Sequence, residues 1–184
     1  HRNRREKLGL TDEELVSIGI FLFTAGEETS ASLISNAMLN LLRHPDQLEL
    51  LRAKPELIDS AIEEVLRYDS IVQLLGRVSK EEITLGGKVI PAGATMTLVI
   101  GSANRDEGVF ERADEFLITR KPNRHLSFGS GVHYCLGDWL GRRQSQLAIS
   151  TLLHRYAHIT LPAQELTWFR NLAVRRLNAL RIKV

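Results

Sequence analysis

The stretch from Thr11 to Arg43 constrains the fold more than any other. Thr11-Asp12-Glu13-Glu14 is a capping box, with Thr11 as N-cap and Glu14 reaching back to its amide. Helix-compatible residues then continue to His44-Pro45, where the residue before proline is pushed out of helical geometry. A helix of roughly thirty residues is well above the usual length of about 8–20. Its first half is apolar nearly all round, so the pattern predicts a helix running through the middle of a structure. The apolar run Leu15 to Phe23 is broken by Ser17 and Gly19 and is short of a membrane span by about half.

The rest of the chain reads as mainly α with small β-sheets. A short helix is expected from Asp46 to Ala53, and another opens at Pro55 and runs to Tyr68. Periodicity then changes. Ile71 to Val78, Ile83 to Leu85, Lys88 to Ile90 and Thr95 to Ile100 read as short strands, with a Gly86-Gly87 hairpin turn. Gly101 to Val132 holds turn residues without sustained period, and such long irregular segments are usually functional. A helix returns after Cys135 up to Tyr156, and Ile159 to Val184 reads as short strands and loops.

Composition narrows the class. With 184 residues, 43% hydrophobic and 25% charged, the chain can bury a core, which excludes a disordered tail, a collagen and a disulfide-stapled domain. The single cysteine cannot form an internal disulfide, which points to a reducing, cytoplasmic setting. A net charge of +2 and a pI near 8.9 are too mild to indicate nucleic acid. The basic start, His1-Arg2-Asn3-Arg4-Arg5, runs almost at once into the helix pattern and reads like a chain entered midway.

The most informative loop is Phe128-Gly129-Ser130-Gly131-Val132-His133-Tyr134-Cys135-Leu136-Gly137. Its glycines let the backbone bend and approach another group closely. The helix that follows puts free N–H groups beside the sulfur and favours a thiolate suited to a soft metal centre. Other readings compete: a buried structural thiol, a catalytic nucleophile, or a zinc or blue-copper site with His125 and His133. The loop lacks the paired spacing of zinc sites, and Met38 and Met96 lie far off in sequence.

The loop resembles the haem-binding signature of the cytochromes P450, Phe-x-x-Gly-x-(Arg/His)-x-Cys-x-Gly, through Phe128, Gly131, His133, Cys135 and Gly137. Glu64-Val65-Leu66-Arg67, by itself an i, i+3 ion pair, is similar to the family's Glu-x-x-Arg. Ala25-Gly26-Glu27-Glu28-Thr29 is similar to its Ala-Gly-x-(Asp/Glu)-Thr motif; taken alone, it is a threonine bonding back to the Ala25 carbonyl. These matches keep the family's order over most of residues 10–145.

The resemblance implies the C-terminal half of a soluble bacterial-type P450 over 1–184, with the N-terminal half absent and the fragment alone inactive. It implies haem b held by Cys135 as thiolate, with Gly129 and Gly137 in the same loop. Arg77, His125 and His133 are then the candidates for its propionates. Glu28 and Thr29 become an acid–alcohol pair that relays protons. Glu64 and Arg67 become a buried lock, with Arg120 as candidate third member. Ile71 to Leu75 and Leu22, Phe23 and Ala25 become candidate contacts for a small hydrophobic organic substrate. Arg142 and Arg143 become candidate docking cations for an acidic ferredoxin, or plain solvated charge. The implied reaction is oxygen insertion from O2 by a monooxygenase; a peroxygenase and an inactive fragment are the alternatives. Ile71, Asp138 and Gly141 depart from the family's usual residues.

Overall fold

The computed structural model describes residues 9–184; the basic start at His1 to Arg5 lies outside them. Helix α1 spans Asp12–Arg43, and its capping box forms as the sequence indicates. The Thr11 amide donates to Glu14 Oε2 at 2.7 Å, and the Glu14 amide donates to Thr11 Oγ1 at 3.2 Å. Helix α2 (Pro45–Ala53) follows, then a single 3-10 turn, Pro55–Leu57, and α3 (Ile58–Tyr68). After the sheets and a short α4 (Ile100–Ala103), the long α5 spans Asp138–Arg155. Helices α1, α3 and α5 pack against one another. Their shared core includes Leu33, Ala37 and Leu41 of α1, Ile62, Val65 and Leu66 of α3, and Ile149 of α5.

Burial divides α1 in two. Its second half, from Ser32 to Leu41, carries the buried residues. The first half exposes apolar side chains on several sides, Phe23 at 76% and Phe21 at 68% among them.

Two antiparallel hairpins complete the frame. Strand β1 (Leu74–Val78) pairs with β4 (Thr95–Val99), Leu74 opposite Val99 and Arg77 opposite Met96. Strand β2 (Ile83–Leu85) pairs with β3 (Lys88–Ile90) through Gly86 and Gly87, whose φ of 56° and 75° suits a tight hairpin turn. The expected strand from Ile71 is shorter than the sequence suggests. Ile71 is 4% exposed and belongs to the helical core, while Val72 makes an isolated bridge to Val174 of the tail. At the other end Ile100 leaves β4, turns inward and opens α4. The tail from Ile159 contributes single bridges, Thr160 to Lys183 and Trp168 to Leu177.

Candidate functional site

Glu64 and Arg67 lie one turn apart on α3, both 0% exposed. Arg67 donates from Nε and Nη2 to the two Glu64 oxygens, each at 2.8 Å. Its remaining N–H groups reach the carbonyls of Asn104 at 3.0 Å, Ala113 at 2.7 Å and Glu115 at 2.9 Å. Glu64 in turn accepts from the Leu117 amide at 2.9 Å, Arg120 Nε at 3.1 Å and Asn123 Nδ2 at 3.2 Å. A buried pair with this many partners pins the irregular segment after α4 onto α3; a strand-to-helix fold alone would not order it. Arg120 is therefore brought to Glu64.

Asn104 ties a second knot. It is fully buried, its Nδ2 donates to Ser70 Oγ at 2.8 Å and Ser127 Oγ at 2.9 Å, and its Oδ1 accepts from the Leu126 amide at 2.8 Å. Ser127 Oγ donates to Leu66 O at 2.6 Å. The lead-in to the cysteine loop is thus fastened to the end of α3. Asn104 lies in the segment of turn residues without sustained period, and its partners, 22 to 34 residues away, carry no local signal.

The loop itself is held open by backbone geometry. Gly129 and Gly131 have φ of 74° and 70°, a left-handed region that favours glycine, and a 3-10 turn, Gly131–His133, follows. The Cys135 amide donates to Phe128 O at 2.9 Å. Cys135 is a free thiol of intermediate burial, two residues ahead of Gly137, the N-cap of α5. Space lies open at Gly131 and Gly137, where an added Cβ would meet nothing within 4 Å. Val132 and Leu136 expose apolar side chains at 98% and 86%. One soft donor beside uncovered apolar surface fits haem, whose iron would take the Cys135 thiolate and whose ring would take apolar cover. Among the described residues no group of three His, Cys, Asp or Glu is placed to hold a bare metal ion.

His133 is exposed and Arg77 is half-buried on β1, where its Nη1 donates to Gly76 O at 2.8 Å. Both keep donors for a carboxylate. His125 does not. Its side chain is 3% exposed, Nε2 meets Glu63 Oε2 at 3.1 Å, and Nδ1 accepts from the Ser127 amide at 3.2 Å. Both ring nitrogens are thus engaged within the protein.

Arg142 also departs from expectation. It donates to Glu63 Oε1 at 2.7 Å and to Asp138 Oδ2 at 2.6 Å, so its charge is paired inside the molecule. Burial opposes the charge on Glu63, but hydrogen bonds from His125 and Arg142 outweigh it and hold its carboxyl down at about 2. The same contacts with Glu63 raise Arg142 against its own desolvation. Arg143, one residue on, remains exposed.

On α1, Thr29 Oγ1 donates to the Ala25 carbonyl at 2.7 Å. Arg176 of the tail brings Nε within 2.7 Å of Glu28 Oε1, an ion-pair contact in which the N–H is not aligned as a hydrogen bond. An open groove of about 610 Å³ is lined by Ser17, Ile20, Phe21, Ala25, Glu28 and Thr29. These positions recur at three- and four-residue intervals and form one stripe. Of the three expected contacts Ala25 lines the groove; Leu22, seven residues before Thr29, borders the stripe, and Phe23, roughly 200° round from Phe21, faces away from it. Ile71 belongs to the buried core.

The profile of one protein family, Cytochrome P450, matches residues 51–175. The chain belongs to the cytochrome P450 family. Similar P450s include the biotin biosynthesis cytochrome P450 of Bacillus subtilis (strain 168), 50% identical over 85% of this chain and 40% of that protein. Cytochrome P450 CYP107DY1 of Priestia megaterium is 42% identical over 93% of this chain and 42% of its own length. The crystal structure of P450BioI with a hexadec-9Z-enoic acid ligated acyl carrier protein superposes with a TM-score of 0.92 at 47% identity, covering 94% of this chain and 45% of that one. CYP109E1 from Bacillus megaterium, in complex with testosterone, gives 0.91 at 43% identity, covering 95% and 49%. The chain thus spans less than half the length of these P450 relatives. Among the described residues, no helix is long and apolar enough to cross a membrane.

Proposed function

We propose that this chain is the haem-binding part, and the C-terminal half of the domain, of a cytoplasmic P450 monooxygenase. Its overall reaction converts a C–H bond and O2, with two electrons and two protons, into an alcohol and water. The observation that carries the reading is the setting of Cys135: a free thiol on a glycine-bent loop, its amide pinned to Phe128 O, at the approach to a long helix. When bound there, haem b supplies the iron centre at which O2 is activated.

The chain's own residues have separable tasks. Cys135 ligates as thiolate, its charge favoured by the free N–H groups at the start of α5. His133 and Arg77 hold the propionates by charge-assisted hydrogen bonds. The Thr29 hydroxyl donates to Ala25 O at rest, so relaying entails releasing that contact: Oγ1 accepts one proton as it passes its own on. Glu28 supplies that proton, and taking up the next one entails loosening its contact with Arg176. Ile20 and Phe21 give the groove apolar walls that favour a small hydrophobic substrate over water. Electrons come from a ferredoxin-type partner, for which the exposed Arg143 is the remaining docking cation of the pair after the cysteine.

Titration of the chain with haem, followed in the Soret region, tests the reading. Saturable uptake at one haem per chain is expected, with a changed spectrum in Cys135→Ser. Uptake with the same spectrum in both proteins would contradict it.

A further inference from the structure

We propose that Glu63 is a positioning residue which, through Arg142 and His125, clamps the cysteine loop to α3 and so fixes the Cys135 thiolate where haem iron binds. The inference rests on the haem reading above. Glu63 and Glu64 are successive residues of α3 and point about 100° apart. They serve different loops. Glu64 takes Arg67 and Arg120 and orders the segment after α4. Glu63 takes the residues that frame the cysteine loop, with Oε1 accepting from Arg142 Nε at 2.7 Å. Its Oε2 is shared between Arg142 Nη2 and His125 Nε2, each at 3.1 Å.

Arg142 carries the restraint onward by two routes. Its guanidinium lies 4.3 Å from the centre of the Phe128 ring, and Phe128 O is the acceptor of the Cys135 amide. Its Nη1 donates to Asp138 Oδ2 at 2.6 Å, and that oxygen also accepts from the hydroxyl of Tyr134, the residue before the cysteine, at 3.0 Å. Both flanks of Cys135 are therefore tied to one guanidinium, which is tied to one carboxylate. The side chains of Glu63 and Arg142 are only 28% and 25% exposed, so the two-pronged pair escapes most of the screening that makes surface pairs weak.

The test compares Glu63→Gln and Arg142→Lys with the wild-type chain. The glutamine substitution keeps the volume and one acceptor but loses the charge; the lysine substitution keeps the charge but loses the fork. Amide hydrogen exchange without haem is measured at Cys135, with Ile62 and Val65 of α3 as references. Exchange at Cys135 is expected to rise about tenfold in Glu63→Gln and less in Arg142→Lys, while the reference amides stay within about twofold. Wild-type exchange at Cys135 in both variants would overturn the clamp, and so would equal acceleration at the reference amides, which marks a general loss of stability. A second readout is the reduced, carbon-monoxide-bound haem protein, where both variants should show a smaller share of the red-shifted thiolate Soret band; an unchanged share would overturn the inference. If the wild-type chain takes up no haem, the haem reading fails by itself, and the exchange comparison still decides the clamp.

Discussion

At the scale of single residues, the contrast between adjacent carboxylates is instructive. Glu64 is fully buried and saturated by two arginines, an amide and an asparagine. Glu63 is partly exposed, yet its carboxyl is held at about 2 against an ordinary 4.5. A group whose folded-state value is depressed adds stability that is present above its unfolded value and lost as pH falls towards the folded one. The groups facing Glu63 are the His125 ring and the Arg142 guanidinium, with Asp138 behind the arginine. The difference in urea midpoint between wild type and Glu63→Gln should therefore be full at neutral pH and close as pH falls from about 4.5 towards about 2. A difference that persists unchanged at low pH would contradict the assignment. The sequence displays Glu64 and Arg67 as a short-range pair, but it hides Glu63 and Arg142. Those two meet across 79 residues, and nothing local distinguishes their charges from solvated ones.

At the scale of elements, α3 organises the molecule. One face enters the core through Ile62, Val65 and Leu66, and Arg67 reaches three carbonyls of the loop beyond α4. Arg67→Lys leaves most of those carbonyls buried without a donor, and a loss of roughly 3–5 kcal/mol in the free energy of unfolding is expected from denaturant titration. A loss below about 1 kcal/mol would mean that the loop finds its shape without the arginine. The elements themselves were largely legible in the sequence. The capping box at Thr11, proline after His44 and the glycine pair at 86 and 87 each act on their own neighbours, so local reading suffices. Local reading failed where tertiary packing decides. Ile71 looks like strand by composition but is drawn into the helical core, and Ile100 turns inward to begin α4. Phe23 is an apolar neighbour of the Glu28–Thr29 site in sequence and faces away from its stripe in space.

At the scale of the whole molecule, α1 joins the parts. Its second half packs with α3 and α5, the helices that carry the Glu64–Arg67 lock and follow Cys135. Its first half presents apolar side chains around the Glu28–Thr29 groove. The fold matches P450 structures over nearly the whole chain while spanning less than half of each, so the matched elements form a coherent part of the family's architecture. The central claim is that Cys135 supplies a thiolate to haem iron from this unit. The most direct measurement is the visible spectrum of the haem-loaded chain, reduced and bound to carbon monoxide. The strongly red-shifted Soret band of thiolate ligation, lost in Cys135→Ser, is expected. An unshifted band in the wild-type chain, or a red-shifted band that survives in Cys135→Ser, would contradict it.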